Sequence, residues 1–203
     1  MLNLARTAIA ASLLTLAACG PAASDDPALT EGAWALDSEA SRLNYATIKA
    51  GDVVEMNAFE TLTGSVSADG SATVEIDLAS VSTGIDIRDE RMRDIFFVVA
   101  DNPTATVTAE FDPAAFEGLA IGRSTQVPLN GTLSIKGVEA PVEGQVKVTR
   151  TGPDSVLAES AQPILVNATD LELTEGIATL QQIAGLDSIS PTVPVSFTLT
   201  FAR

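Results

Sequence analysis

Most of the chain beyond the first thirty residues alternates between apolar and polar positions with a period of two. That is the period of a strand with one wet face and one apolar face. Val74, Ile76 and Leu78 point one way while Thr73, Glu75 and Asp77 point the other. Val127, Leu129, Leu133 and Ile135 alternate with Asn130, Thr132, Ser134 and Lys136, and Val142, Val146 and Val148 with Glu143, Gln145, Lys147 and Thr149. Ala105, Val107, Ala109 and Phe111 form a further apolar face, and Val193, Val195, Phe197, Leu199 and Phe201 form the last one. Turn signals punctuate these runs at Ala68-Asp69-Gly70, Lys136-Gly137-Val138 and Thr151-Gly152-Pro153-Asp154. Such a pattern predicts an all-β fold, an antiparallel sheet closed on itself or folded into a sandwich.

Two segments read as helical. In Arg91–Val99 the residues Met92, Ile95, Phe96 and Val99 fall at i, i+3, i+4 and i+7. In Leu173–Ala184 the spacing of Ile177, Leu180 and Ala184 does likewise, with Gly185 as a stop and Gly176 as a weak point. Small residues on inward positions, Ala105, Ala109, Gly131 and Gly144, either leave space on the axis of a barrel or fit a tapering packed core.

The N-terminus changes the picture. Arg6 is followed by an apolar run from Thr7 to Ala18, the build of a signal peptide and too short for a permanent span. The run ends in Leu16-Ala17-Ala18-Cys19, which resembles the lipobox of bacterial lipoproteins, and Cys19 is the only cysteine in the chain. The expected organisation is a signal peptide at 1–18, an acylated tether at 19–30 and one folded domain at 31–203 beginning near Trp34. The acyl chains would hold the protein to a membrane. Gly20 stands where some bacteria place an aspartate for inner-membrane retention, so the expected location is the outer membrane, facing the periplasm.

Charge and chemistry then narrow the function. The chain holds 27 acidic and 11 basic residues, a net charge of −16. Removal of residues 1–18 takes away Arg6 and no acid, leaving −17. That field argues against nucleic acid as a partner. Histidine is absent, which excludes Ser-His-Asp and Cys-His devices and a His-based zinc site. No cofactor and no metal site are expected. The densest charge cluster is Arg88–Asp94, in which Arg88, Arg91 and Arg93 interleave with Asp89, Glu90 and Asp94. Three guanidiniums among the carboxylates weaken any general acid there. Two readings remain. Arg88 and Asp89 pair and fasten a crossover while Met92, Ile95, Phe96 and Phe97 cover one end of a barrel; alternatively Arg88, Arg91 and Arg93 meet an anionic or quinone head group.

Several stretches together resemble the YceI-like family of bacterial lipid- or polyisoprenoid-binding proteins. They are IDLASVSTGIDIRDERMRDIFF, NPTATVTAEF and LNGTLSIKGVEAPVEGQVKV. The motif positions here are Ser80-Val81-Ser82-Thr83, Arg88-Asp89, Phe96-Phe97 and Pro103, with Leu133–Val142 as the later strand-turn-strand element and Trp34-Ala35-Leu36-Asp37 as the opening strand. The resemblance spans about Trp34 to Phe201. It implies a lipocalin-like antiparallel β-barrel of about eight strands with one or two short helices, holding an isoprenoid tail in its lumen. Many members carry histidines in the first long strand; this chain has Lys49 and Glu55 in that region instead. The C-terminal TLQQIAGLDSISPTVPVSF is an insertion-like segment associated with a subgroup.

The candidate ligand-facing residues are Tyr45, Lys49, Phe59, Ile76, Leu78, Met92, Phe96, Phe97, Val107, Phe111, Leu133, Val146, Ile164, Leu180 and Phe197. Tyr45 and Lys49 are the hydrogen-bond donors among them; each also has a plain structural reading, as a core aromatic and a solvated lysine. The expected function is non-enzymatic carriage of an isoprenoid, quinone or fatty acyl chain by a membrane-anchored lipoprotein. The alternative is a structural or interaction module with a packed barrel, and a homodimer is compatible with either. Acylation has a direct check: metabolic labelling with a radioactive fatty acid marks the wild type, and Cys19→Ser abolishes the label.

Overall fold

Eleven strands make up one antiparallel sheet in the computed structural model, which describes residues 28–203. They are β1 (Trp34–Lys49), β2 (Val53–Phe59), β3 (Leu62–Val66), β4 (Ser71–Asp77), β5 (Val81–Ser82), β6 (Thr104–Glu110), β7 (Ser124–Ile135), β8 (Val138–Gly152), β9 (Ser155–Ser160), β10 (Ile164–Asn167) and β11 (Thr192–Ala202). Two helices, α1 (Asp86–Arg91) and α2 (Thr174–Ala184), interrupt the strands. The expected signal peptide, Cys19 and most of the tether lie outside the described residues. No helix among the described residues is long and apolar enough to cross a membrane.

Eight strands close a ring in the order β1-β3-β4-β6-β7-β8-β9-β11, and β11 returns to β1. This is the closed antiparallel barrel that the alternating pattern and the family resemblance led us to expect. The other three strands widen one end, β10 alongside β11 and β2 with β5 beyond β1. β1 serves both parts. Its first residues pair with β3 and with the end of β11, and its last pair with β2 and the start of β11. The register shifts between Asp37 and Arg42. There Asp37 Oδ1 accepts from the backbone of Glu39 and Ala40, and buried Ser41 Oγ accepts from Thr200 N at 3.0 Å. A bulge of this kind bends the strand and lets one length of chain leave the ring.

The turns follow the sequence signals. Lys136 and Gly137 both have positive φ, 54° and 78°, the geometry of a two-residue hairpin between β7 and β8. Two of the four small inward residues do not leave space. A Cβ on Gly144 would lie 2.9 Å from Ile164 Cγ1, and one on Gly131 would lie 2.7 Å from Thr108 O. These glycines admit a packed side chain and a close strand approach instead. Ala105 and Ala109 face the lumen.

The helical segments differ from expectation in register. α1 starts earlier, at Asp86, and the expected helix over Arg91–Val99 becomes a π-helical turn at Met92–Phe97, ended by Val98 with φ 51°. Wider winding turns Phe97 inward, 4% exposed, and leaves Ile95 at the surface, 38% exposed. α2 matches its expected end, with Gly185 in the left-handed region. Gly176 has a tertiary reason: a Cβ there would lie 2.8 Å from the Phe96 ring.

The two poles are built differently. At the pole where the described chain begins, Trp34 Nε1 donates to Leu29 O and the Arg203 guanidinium lies 4.5 Å from the Trp34 ring. The β3–β4 turn sits there too, and Gly70, with φ 95°, accepts from Phe111 N through its carbonyl. At the other pole stand α1, the π-helical turn and α2. A Cβ on Gly70 would come within 1.9 Å of Phe111 O. Gly70→Ala therefore destabilises the barrel by about 2–4 kcal/mol in denaturant unfolding, with the slope unchanged.

Candidate functional site

The inward faces of the ring enclose a cavity of about 730 Å3, within the size range of small-molecule sites. Its wall is almost wholly apolar, since each barrel strand sends alternate side chains inward. All fifteen ligand-facing candidates line it. Ile76, Val107, Leu133, Val146 and Phe197 lie on strands of the ring, and Ile164 joins from β10; Leu78, expected to continue the strand, instead opens a 3-10 turn after β4, and Phe111 follows the end of β6. Met92, Phe96 and Phe97 come from the π-helical turn and Leu180 from α2. Four aromatic rings form a chain across the upper wall. Tyr45 and Phe59 are 5.4 Å apart, Phe59 and Phe97 5.8 Å, and Phe97 and Phe96 4.9 Å. Offset and edge contacts at these spacings add to the burial of the rings.

The polar part of the cavity is concentrated at the helical pole, on the β1–β2 ladder. Register places Tyr45 opposite Asn57, Thr47 opposite Glu55 and Leu43 opposite Phe59, all on the inward face. Here β2 reverses the usual polarity. Glu55 and Asn57 face in, while Val54 and Met56 face out, 59% and 65% exposed. Glu55 sits between two cations. Its carboxylate is 2.8 Å from Lys49 Nζ and 2.5 Å from Arg88 Nη1. The Lys49 ammonium and the Arg88 guanidinium together hold the Glu55 carboxyl below its ordinary value of 4.5, against a smaller opposing effect of burial.

The Arg88–Asp89 pair expected from sequence is not formed. Neighbours on a helix point in different directions. Arg88 turns to Glu55 and donates through Nη2 to Thr83 O at 2.7 Å, while Asp89 accepts from the backbone and the hydroxyl of Thr83. Together these bonds still fasten α1 to the end of β5. Arg91 lines the cavity, but Arg93 does not. The three arginines thus do not converge, because the π-helical turn carries Arg93 onto another face.

Three buried polar atoms in this region have no hydrogen-bond partner among the described residues: Tyr45 Oη, Asn57 Oδ1 and Arg88 Nε. Such atoms cost about 1–3 kcal/mol each when left unmet. Asn57 is 6% exposed, and its Nδ2 donates to Thr47 Oγ1 at 3.0 Å. Burial pushes the Tyr45 phenol well above its ordinary value, with Arg88 pulling it down and Asp89 up by lesser amounts, so the hydroxyl stays protonated and free to donate. Sequence reading missed Asn57 and gave Glu55 no role. The inverted alternation Val53–Phe59, with methionine on the wet side, is the signal that marks them.

The family model described as the YceI-like domain matches residues 34–201. The chain is similar to a polyisoprenoid-binding domain from Saccharophagus degradans implicated in plant cell wall breakdown. That match has 41% identity and a TM-score of 0.81 over 85% of this chain and 99% of the other. It also shares its fold with BcnA from Burkholderia cenocepacia, at 21% identity and a TM-score of 0.63, over 81% and 98% of the two chains. No curated protein matches.

The ion pairs at Glu55 carry a pH signature. A carboxyl whose folded value lies below its unfolded one stabilises the fold above the unfolded value, near 4.5, and loses that contribution as pH falls through the lowered folded value. Glu55→Gln is therefore less stable than wild type by about 0.5–1 kcal/mol at pH 7. The difference closes on acidification below pH 4.5, as read from thermal unfolding across a pH series.

Proposed function

The chain belongs to the YceI-like domain family, and we propose that it binds and carries an apolar, isoprenoid-type lipid inside the barrel without transforming it. The observation that carries this reading is the continuous apolar cavity of about 730 Å3 inside a closed sheet. Each square ångström of tail buried there stabilises the complex by about 25 cal/mol, so affinity needs no reactive group. The polyisoprenoid-binding domain at 41% identity supports the ligand class. In this reading Cys19 is acylated and ties the barrel to an envelope membrane facing the periplasm, and the protein shields its cargo from water. The chemistry is that of burial and release.

The packed-barrel alternative, an interaction module without cargo, is disfavoured by the size of the cavity. Lipid extraction and native mass spectrometry of protein purified from its host separate the two. Carriage gives a stoichiometric lipid adduct, and repeated recovery of lipid-free protein overturns it. Val107 faces the lumen, half-buried. Val107→Trp fills the space and lowers lipid occupancy at least about tenfold, while the protein remains folded by circular dichroism.

A further inference from the structure

A lipid reaches the lumen through one of the two poles. Hydrogen-bonded strand pairs follow one another all round the ring, so passage through its side breaks the ladder. The poles differ in what lies across them. At the Trp34 pole the incoming chain is strapped over the end of the barrel. The Arg203 guanidinium donates to Ala28 O at 3.1 Å and to Glu31 O, and Trp34 Nε1 donates to Leu29 O at 2.9 Å. Leu29 itself packs half-buried against the core. Among the described residues that line the cavity at this pole, Ala68 of the β3–β4 turn is the exposed one.

The helical pole is arranged the other way. Ile85, Ile87 and Ile183 line the cavity while remaining 47%, 52% and 42% exposed, and Ala184 is exposed beside them. Ile85 is the N-cap of α1 and Ile87 lies in its first turn; Ile183 is in the last turn of α2. These two flanks are fastened to different strands of the β1–β2 hairpin. Arg88 ties α1 to Glu55 on β2. The segment after α2 is stitched to the end of β1, Ala50 N donating to Ser188 O at 2.9 Å and Ser190 N to Ile48 O at 2.8 Å. The helices are thus held apart at the hairpin, and the rim between them is aliphatic. Exposed apolar side chains grouped in this way mark a point of contact. A tail that crosses them leaves water for apolar surface before it is fully inside.

The structure assigns this opening as the mouth through which cargo enters and leaves, rimmed by Ile85 and Ile87 on one side and Ile183 on the other. This inference rests on the lipid-carrier reading and adds the route. The tail passes over the isoleucines into the lumen, and the strapped Trp34 pole stays closed. A mouth residue differs from a wall residue in kinetics. Cargo meets it in transit, so a change there alters entry and exit alike and leaves the equilibrium unaltered.

The test uses the full chain freed of copurified lipid, with all-trans-retinol, a fluorescent isoprenoid alcohol, as the probe. Loading is followed by stopped flow, and release by transfer to excess phosphatidylcholine vesicles. Ile87→Asp and Ile183→Lys each place a charge in the mouth at an exposed position that tolerates it. Each slows loading and release together by about tenfold, because the tail must now pass a hydrated charge. The Kd stays within about twofold of wild type, which also shows that the variants are folded. Val107→Trp, on the wall, raises the Kd instead, and Ala68→Asp at the other pole exchanges at wild-type rates. Wild-type exchange by both isoleucine variants overturns the mouth and leaves the carrier reading standing. So does a change in their Kd in place of their rates, or slow exchange by Ala68→Asp. A wild type that binds no retinol overturns both.

Discussion

The pairing of β1 with β11 is the contact on which the rest of the molecule depends. Without it the sheet has two open edges and no interior; with it, eight strands enclose a lumen and every inward residue acquires an environment. The pairing joins residues about 160 positions apart in the chain, from Ala35 with Ala202 to Tyr45 with Val195. It is also the contact that must bend. The bulge between Asp37 and Arg42, held by Asp37 and the buried Ser41, allows β1 to close the ring at one end. At the other end the same strand splays to form a wall with β2.

That division explains where the polar chemistry lies. The inward positions of the closed ring are almost wholly apolar, so a polar group there would find few partners on the wall. The ladder of the last part of β1 with β2 carries Lys49, Thr47 and Tyr45 from the one strand and Glu55 and Asn57 from the other on its inner face, beside α1. There the charges neutralise one another. Glu55 answers both Lys49 and Arg88, and α1 is fixed by the bonds that Arg88 and Asp89 make to Thr83. The cavity consequently has a long apolar part and a short polar one, the division of a molecule with a tail and a head.

The helical cover is thin. α1 and α2 contain no buried residues, and the element that does pack inward is the π-helical turn between α1 and β6 through Phe97. Phe96 then seals against α2 only because position 176 is a glycine. A π-turn widens the spacing of residues that share a face, which is why Met92 and Phe97 both meet the lumen while Ile95 faces out.

Local pattern was enough for β4, β6, β7, β8 and β11, for the Lys136-Gly137 and Gly185 turns, and for the lumen-facing register of residues such as Val107, Leu133 and Phe197. A period of two assigns a side chain to one face, and one face of a closed sheet is the inside. Pattern could not supply partners. Arg88 and Asp89 are adjacent in sequence, yet their partners are Glu55, 33 residues away, and Thr83. Pattern left Gly131 and Gly144 open between empty space and a tapering packed core, and they are the points where Thr108 and Ile164 come close. Asn57, the buried acceptor of the polar end, gave no signal alone and is marked only by the inverted polarity of its strand. Along the alternating strands the chain by itself determined which way a residue faces, because that follows from backbone geometry between neighbours. What each residue meets was decided by closure of the barrel, because those contacts join segments that only the folded sheet brings together.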